Sequence, residues 1–319
     1  MQLWRTAFTA LALAFAAQTY PAQGQDYPSK PIQILMGFPA GSGLDIVSRY
    51  YANHIQKMTG TTVVVQNRVG ANGMIAMAAV AKSQPDGHTI VFGPGASAAH
   101  VVIKSLGFDP QKDLVPVGSL VAFPFFLVVD NAKPYKSASE LAAALKLKGK
   151  VSHASANSLS HVGGVLFARD NGIDAAAVPY KSNNDVIRDI LAGDLDYAFN
   201  EANSSLAMMR EGKLRALGVT LRERSDNAPD VPTMKELGYQ DFGFHGFMAA
   251  YAPSATPQTI LAKLEKWVVE IGRSEETAAF FKKIGADRFS MNAAEFAAWE
   301  QTEFAAWKVR AKIANLEAN

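Results

Sequence analysis

From Lys30 to Ala250, short runs of β-branched and aromatic residues alternate with longer stretches whose apolar residues recur at helical spacing. Residues 32–36, 62–66 and 89–92 are compact apolar runs, the pattern of strands covered on both faces. Between them, residues 45–58 and 74–83 predict helices. A strand–loop–helix repeat of this kind builds a parallel sheet with right-handed crossovers. A second set follows Asp113, with strands predicted at 125–129, 151–154, 175–178, 195–199 and 214–219 and helices at 139–147, 162–170, 184–191 and 206–211. Gly193-Asp194 and Gly212-Lys213 punctuate it. After Pro257 the pattern turns helical, at 258–271, 275–284 and 293–314, with Phe296, Trp299, Phe304 and Trp307 as the apolar stripe of the last helix. Extended apolar runs at 121–129 and 247–251 predict two crossings between two α/β lobes. The expected division is 25–124 with 240–319 as a discontinuous first lobe and 125–239 as the second, with a ligand cleft between them.

Composition narrows the class. The chain has 319 residues, 49% hydrophobic and 19% charged, which fits a globular protein with full cores. Its 31 basic and 29 acidic residues leave a net charge of +2, and no basic run gathers on one segment to follow a nucleic-acid backbone. Residues 1–24 read as an export signal: Arg5, an apolar stretch from Ala7 to Ala17, and Ala22-Gln23-Gly24 as a small-x-small cleavage site. The stretch is shorter than the roughly 20 residues that span a bilayer. No cysteine occurs, which excludes disulfides and thioether lipid anchors. The expectation is an exported protein, soluble in the periplasm.

Candidate chemistry sits in the loops that follow strands. Phe38-Pro39-Ala40-Gly41-Ser42-Gly43 lies after the first strand and before the helix expected at 45–58. Glycines there admit backbone N–H groups to an anion, and the helix dipole adds favourable potential. The spacing is neither that of a P-loop nor G-x-G-x-x-G, so a carboxylate fits as well as a phosphate. Asp45, in the first helical turn, is expected to hold this loop. Gly93-Pro94-Gly95-Ala96-Ser97 and Ser155-Ala156-Asn157-Ser158-Leu159-Ser160-His161 follow later strands, and such loops converge on one cleft in open α/β sheets. His161 either donates to a ligand or braces its loop. Lys181 and Asn200 are poised at further strand ends. Phe123 and Phe247 are candidates to wall the ligand, although Phe123 and Phe125 share a parity opposite to Phe126. No metal or cofactor is expected, since no histidine has an H-x-x-H or H-E-x-x-H partner and no thiol exists. The absence of G-x-S-x-G leaves only a nonstandard Ser42/Asp/His arrangement open to a hydrolase.

These segments, taken in order, resemble the periplasmic solute receptors of tripartite tricarboxylate transport systems, the Bug family. Tyr27-Pro28-x-Lys30-Pro31-Ile32, Phe38-Pro39-Ala40-Gly41 with Asp45, and Val63-Val64-Val65-Gln66-Asn67-Arg68 are similar to family segments. So are Gly70-Ala71-Asn72-Gly73, Pro85-Asp86-Gly87, Val178-Pro179-Tyr180-Lys181, Leu191-Ala192-Gly193, Gly212-Lys213-Leu214-Arg215-Ala216-Leu217 and Asp230-Val231-Pro232-Thr233. The resemblance implies a monomeric, two-lobed Venus-flytrap protein of the periplasmic-binding-protein class, each lobe a mainly parallel sheet flanked by helices, with no catalytic role. It implies a small organic carboxylate as ligand, held by backbone N–H groups and waters from loops 39–43 and 155–160, and membrane transporter subunits as partners. A sensing subunit for a membrane sensor would share the same pocket. Ser42 stands where the family often has a second glycine, Leu44 where it has a small hydroxyl residue, and the loop 156–160 is shorter than usual. Leu44, Phe123 and Phe247 together predict a ligand with an apolar or aromatic body, with one or two carboxylates.

Overall fold

The computed structural model describes residues 27–95 and 107–316. The expected export signal and Ser97 lie outside the described residues. The chain opens with β1 (Ile32–Met36), α1 (Gly43–Thr59), β2 (Val63–Asn67), α2 (Met74–Ala81) and β3 (Thr89–Gly93). β1 lies between β2 and β3 and pairs with both in parallel, so both its edges are hydrogen-bonded, and only Gln33 is exposed along it. Helix α1 buries Val47, Tyr51 and Ile55, spaced one turn apart, and stops at Gly60 with a left-handed φ of 70°.

A short helix α3 (Pro110–Asp113) leads into β4 (Leu114–Phe123), which passes through Pro124 directly into β5 (Phe125–Asp130). This is the first crossing. β5 becomes the centre of the second lobe, antiparallel to β8 (Ala198–Glu201) and β9 (Leu214–Val219). β6 (Val151–Ser155) and β7 (Ala175–Pro179) form a parallel pair there, joined to the rest through a single bridge between His153 and Tyr197. Helices α4 (Ala138–Leu147), α5 (Ser158–Asn171), α6 (Asn183–Ala192) and α7 (Ala202–Arg210) flank these strands. The chain returns along β10 (Gly246–Pro253), which inserts between β3 and β4 and runs antiparallel to both. It ends in α8 (Gln258–Arg273), α9 (Glu275–Ile284), the short strand β11 (Asp287–Arg288) and α10 (Ala293–Ile313).

The first sheet therefore has the order β11-β4-β10-β3-β1-β2. Both lobes are mixed α/β sheets rather than mainly parallel ones. The βαβ units β1–β2 and β6–β7 are parallel, as their periodicity predicts. β4 leaves the first lobe and β10 returns to it, so the two run antiparallel side by side, and β5, the continuation of β4, is antiparallel to both of its neighbours in the second lobe. Helix α10 belongs to two cores: Phe296 and Trp299 pack with Leu35, Met77 and Tyr251, while Trp307 and the following Ala314 pack with Phe167 and Tyr197 of the second lobe.

Two glycines set where α5 lies. A Cβ on Gly163 would come 2.5 Å from Phe199 Cγ, and one on Gly164 would come 2.0 Å from His153 Nδ1. Only bare backbone lets this helix sit down onto β6 and β8. Gly164→Ala should cost about 1–3 kcal/mol of stability through overpacking, measured by urea denaturation. A change below about 0.5 kcal/mol would show that helix and sheet are not in such close contact.

Candidate functional site

The starts of α1 and α5, one from each lobe, meet at a cavity of about 500 Å³ between the lobes. Each start is built in the same way. Ser42 caps α1: its Oγ accepts the Asp45 N–H at 3.3 Å, and its carbonyl accepts the Ile46 N–H at 2.9 Å. Asn157 caps α5: its Oδ1 accepts the Ser160 N–H at 2.9 Å, and its carbonyl accepts the His161 N–H at 3.0 Å. Ser160 Oγ completes a capping box by accepting the N–H groups of Ala156 and Asn157. A helix leaves its first N–H groups without intrahelical partners, and each cap satisfies only one of them. The N–H groups of Gly43 and Leu44, and of Ser158 and Leu159, remain, and all four residues line the same cavity. Two positive helix ends thus bear on one space.

A buried network holds the first of these starts. Asp45 is 2% exposed. It accepts the Gly41 N–H at 2.9 Å, Arg49 Nε at 2.9 Å and Asn67 Nδ2 at 2.8 Å. Asn67 Nδ2 also reaches the Phe38 carbonyl at 2.9 Å. Gly41 has φ +79°, a conformation that places its N–H back on Asp45 at low steric cost only for glycine. Asp45 thereby holds the loop, as expected, and Asn67 ties strand β2 to it.

Of the residues singled out from sequence, Phe38, Ser42, Gly43, Leu44, Phe123, Asn157, Ser158 and Phe247 line the cavity. Pro39, Ala40, Gly41 and Ser155 shape the two loops without lining it. His161 donates from Nε2 to the Ala314 carbonyl at 3.1 Å, which braces α5 against the end of α10. Asn200 is buried and donates to Ser205 Oγ at 3.0 Å, and Lys181 is exposed beyond β7, so neither lines the cavity. Phe123 and Phe125 both line it while Phe126 lies in a core, as their parity requires.

The sequence reading passed over Asn72, Glu201, Asn203, His245, Glu300, Glu303, Phe304 and Trp307, all of which line the cavity. Glu300, Glu303, Phe304 and Trp307 follow the i, i+3, i+4, i+7 spacing of one face of α10. Glu300 accepts from Tyr251 Oη at 2.8 Å. Glu303 Oε1 accepts from Arg310 Nη1 at 2.5 Å, and Arg222 stands 3.7 Å from its other oxygen. Glu201 accepts from Asn183 Nδ2 at 2.9 Å. Burial holds both the Glu201 and Glu303 carboxyls above the usual glutamate range, against the hydrogen bonds and charges of their partners. His245 stacks on Trp299 at 5.5 Å and meets Phe289 edge-on at 4.9 Å, with no hydrogen-bond partner for either ring nitrogen. Burial, aided by the charges of Arg222 and Arg310, pushes it down to about 3.

Among the described residues, no group of three or more His, Cys, Asp or Glu side chains is arranged to hold a metal, and no helix is long and apolar enough to cross a membrane. Fold and site together define a two-lobed periplasmic-binding-protein architecture with an interlobe ligand cavity. The family model described as "Tripartite tricarboxylate transporter family receptor" matches residues 47–316. BugT of Bordetella pertussis is 32% identical over 280 residues, covering 86% of each chain. The R. palustris protein Rpa4515, solved with adipate, superposes with a TM-score of 0.77 at 25% identity, over 92% of this chain and all of that one (100%). MatC of Rhodopseudomonas palustris, solved with bound malate, gives 0.69 at 27% identity, over 89% and 99%. The chain belongs to the tripartite tricarboxylate transporter receptor family, and it is a periplasmic solute receptor serving a membrane transporter of that type. Its family is one of transport receptors, not enzymes.

Burial alone would raise the Asp45 carboxyl, but hydrogen bonds from Arg49, the Gly41 N–H and Asn67, with the Arg49 charge, hold it below the usual aspartate range. Its stabilisation is complete above the unfolded value of about 3.9 and is lost as pH falls through the lower folded value. Asp45→Ala should therefore cost about 1–3 kcal/mol at pH 7, and this deficit should shrink only in strong acid, as read by urea denaturation at several pH values. For His245 the lowered folded value means the unfolded chain takes up the proton first. That ring's contribution is complete above about pH 6.5 and is lost as pH falls toward the folded value. His245→Phe, which suits the surrounding aromatic rings, should reduce the acid slope of stability by up to about 1.4 kcal/mol per pH unit between pH 6 and 4. An unchanged slope would place the ring in water.

Proposed function

We propose that the protein binds a small organic carboxylate in the interlobe cavity, carries it through the periplasm as a monomer, and delivers it to the transporter. One carboxylate group is held by the N–H groups of Gly43 and Leu44 from one lobe and of Ser158 and Leu159 from the other. The observation that carries this reading is that the four residues whose N–H groups are left over after each helix is capped line a single cavity. The adipate and malate bound by the two structural relatives agree with it. Ser42 and Asn157 act chiefly as caps, and their side chains set the direction of the backbone donors. Phe38, Leu44, Phe123, Phe125, Phe247 and Phe304 wall the remainder, so the ligand has an apolar or aromatic body. Its burial would contribute roughly 25 cal/mol per Å². Among the described residues we take 27–95, 107–124 and 240–316 as one lobe and 125–239 as the other, with α10 clasping both; ligand contact with both helix starts then favours the closed state.

Proline substitution isolates the backbone donors. The first helical position accepts proline because its N–H has no helical partner, and Ser42 and Asn157 already have the extended backbone that precedes proline. Gly43→Pro and Ser158→Pro should therefore fold, while each loses one hydrogen bond to a charged group, about 1.5–3 kcal/mol, or roughly tenfold or more in affinity. A melting-shift screen across mono-, di- and tricarboxylates identifies the acid to use, and calorimetry on the variants reads the loss. Failure of every acid to raise the melting temperature would contradict the proposed function. Unchanged affinity in both folded variants would contradict the role of the backbone donors.

A further inference from the structure

The four N–H donors account for one carboxylate. What the rest of the cavity accepts is set mainly by α10. Its cavity face carries two carboxyl groups, Glu300 and Glu303, beside Phe304 and Trp307, and β8 adds Glu201. Among the described residues, no lysine or arginine lines the cavity. The nearby arginines are already engaged, two of them with Glu303 itself: Arg222 stands 3.7 Å from Glu303 Oε2. Arg310 is 6% exposed, pairs with Glu303 and donates from Nε to the Asp241 carbonyl at 2.9 Å, while Arg49 pairs with Asp45 and donates to Asn67 Oδ1 at 3.1 Å. In the same wall, Glu303 Oε2 and both ring nitrogens of His245 are buried without a hydrogen-bond partner. Buried polar atoms of this kind are ordinarily satisfied, and a bound molecule is one way to satisfy them.

We infer that the ligand is a monocarboxylic acid whose apolar body carries a neutral or cationic hydrogen-bond donor, a hydroxyl, amide or amine, and that the α10 wall rejects a second carboxylate. This rests on the proposed carboxylate site and concerns the other end of the molecule. Among the described residues a second carboxylate would face Glu300 and Glu303 with no cation lining the cavity, since Arg222 and Arg310 are already paired with Glu303, and a buried unpaired charge is strongly disfavoured. A hydroxyl or amide N–H instead supplies the donor that a carboxylate acceptor lacks, and the neutral His245 ring can complete either group. Selectivity of this type is strong because the wrong ligand leaves polar groups of the protein unpaired. The specificity of this chain would thereby differ from the diacids adipate and malate found in its structural relatives.

Two series of nearly isosteric acids test this on the mature wild-type protein by calorimetry at pH 7. One is benzoate, 4-hydroxybenzoate, 4-carbamoylbenzoate and terephthalate; the other is hexanoate, 6-hydroxyhexanoate and adipate. The donor-bearing monoacid should bind tightest in the series that fits, at least tenfold more tightly than the matching diacid. Glu303→Gln and Glu300→Gln, each checked for folding by circular dichroism, should narrow that gap severalfold by removing the repulsion. A diacid that binds as tightly as its donor-bearing match, or a gap that both folded variants leave unchanged, would overturn the inference while leaving the carboxylate site intact. Binding of no acid in either series would instead overturn the carboxylate site, and this inference with it.

Discussion

A helix cannot hydrogen-bond its own first amides, and this cavity is organised around that fact. Two helices from different lobes end there, each capped so that two N–H groups stay free: Gly43 and Leu44 on one side, Ser158 and Leu159 on the other. Such donors attract an anion without any fixed positive charge, and they are rigid because the helices behind them are packed. Much of the surrounding construction keeps them in place. Asp45, Asn67 and Arg49 fasten the loop ahead of α1. Gly163 and Gly164 let α5 lie against Phe199 and His153, and His161 ties it to the end of α10. A site made of backbone also depends on lobe position, because half of its donors move with each lobe.

The C-terminal helix does a second job. Its two ends pack in different cores, through Phe296 and Trp299 and through Trp307 and Ala314, so it links the lobes. Its middle turns Glu300, Glu303 and Phe304 to the cavity. One element thus contributes both to how the lobes are held and to which ligand body is admitted. The division of labour is physical: backbone amides read a charge common to many acids, and side chains on a helix face read what is attached to it.

Much of this was legible in the sequence, and the parts that were not have identifiable causes. The loops at 38–43 and 155–161 were visible as breaks between strand and helix, although α5 begins at Ser158 rather than at the expected 162, and the crossings were visible as apolar runs without helical period. The parity of Phe123 and Phe125 against Phe126 followed from the pleat. Mixed sheet direction was not visible, because a strand's sequence is the same whichever way its neighbour runs. Glu201, His245, Glu300 and Glu303 were missed because a carboxylate on a helix or at a strand end ordinarily faces water. Nothing local marks the place where the other lobe covers it. Phe304 and Trp307 looked like core for the same reason, since a cavity wall and a core stripe share one helical period. The resemblance to a receptor family carried what periodicity could not, and the family match over residues 47–316 agrees with it.

The most direct measurement is the amide NMR spectrum of the isotope-labelled protein, titrated with the acid that gives the largest melting shift. If both lobes hold one carboxylate, the N–H resonances of Gly43 and Leu44 and those of Ser158 and Leu159 should move downfield together, along one binding curve. Shifts confined to one pair, or two pairs following different curves, would show that the carboxylate is not shared between the two helix starts.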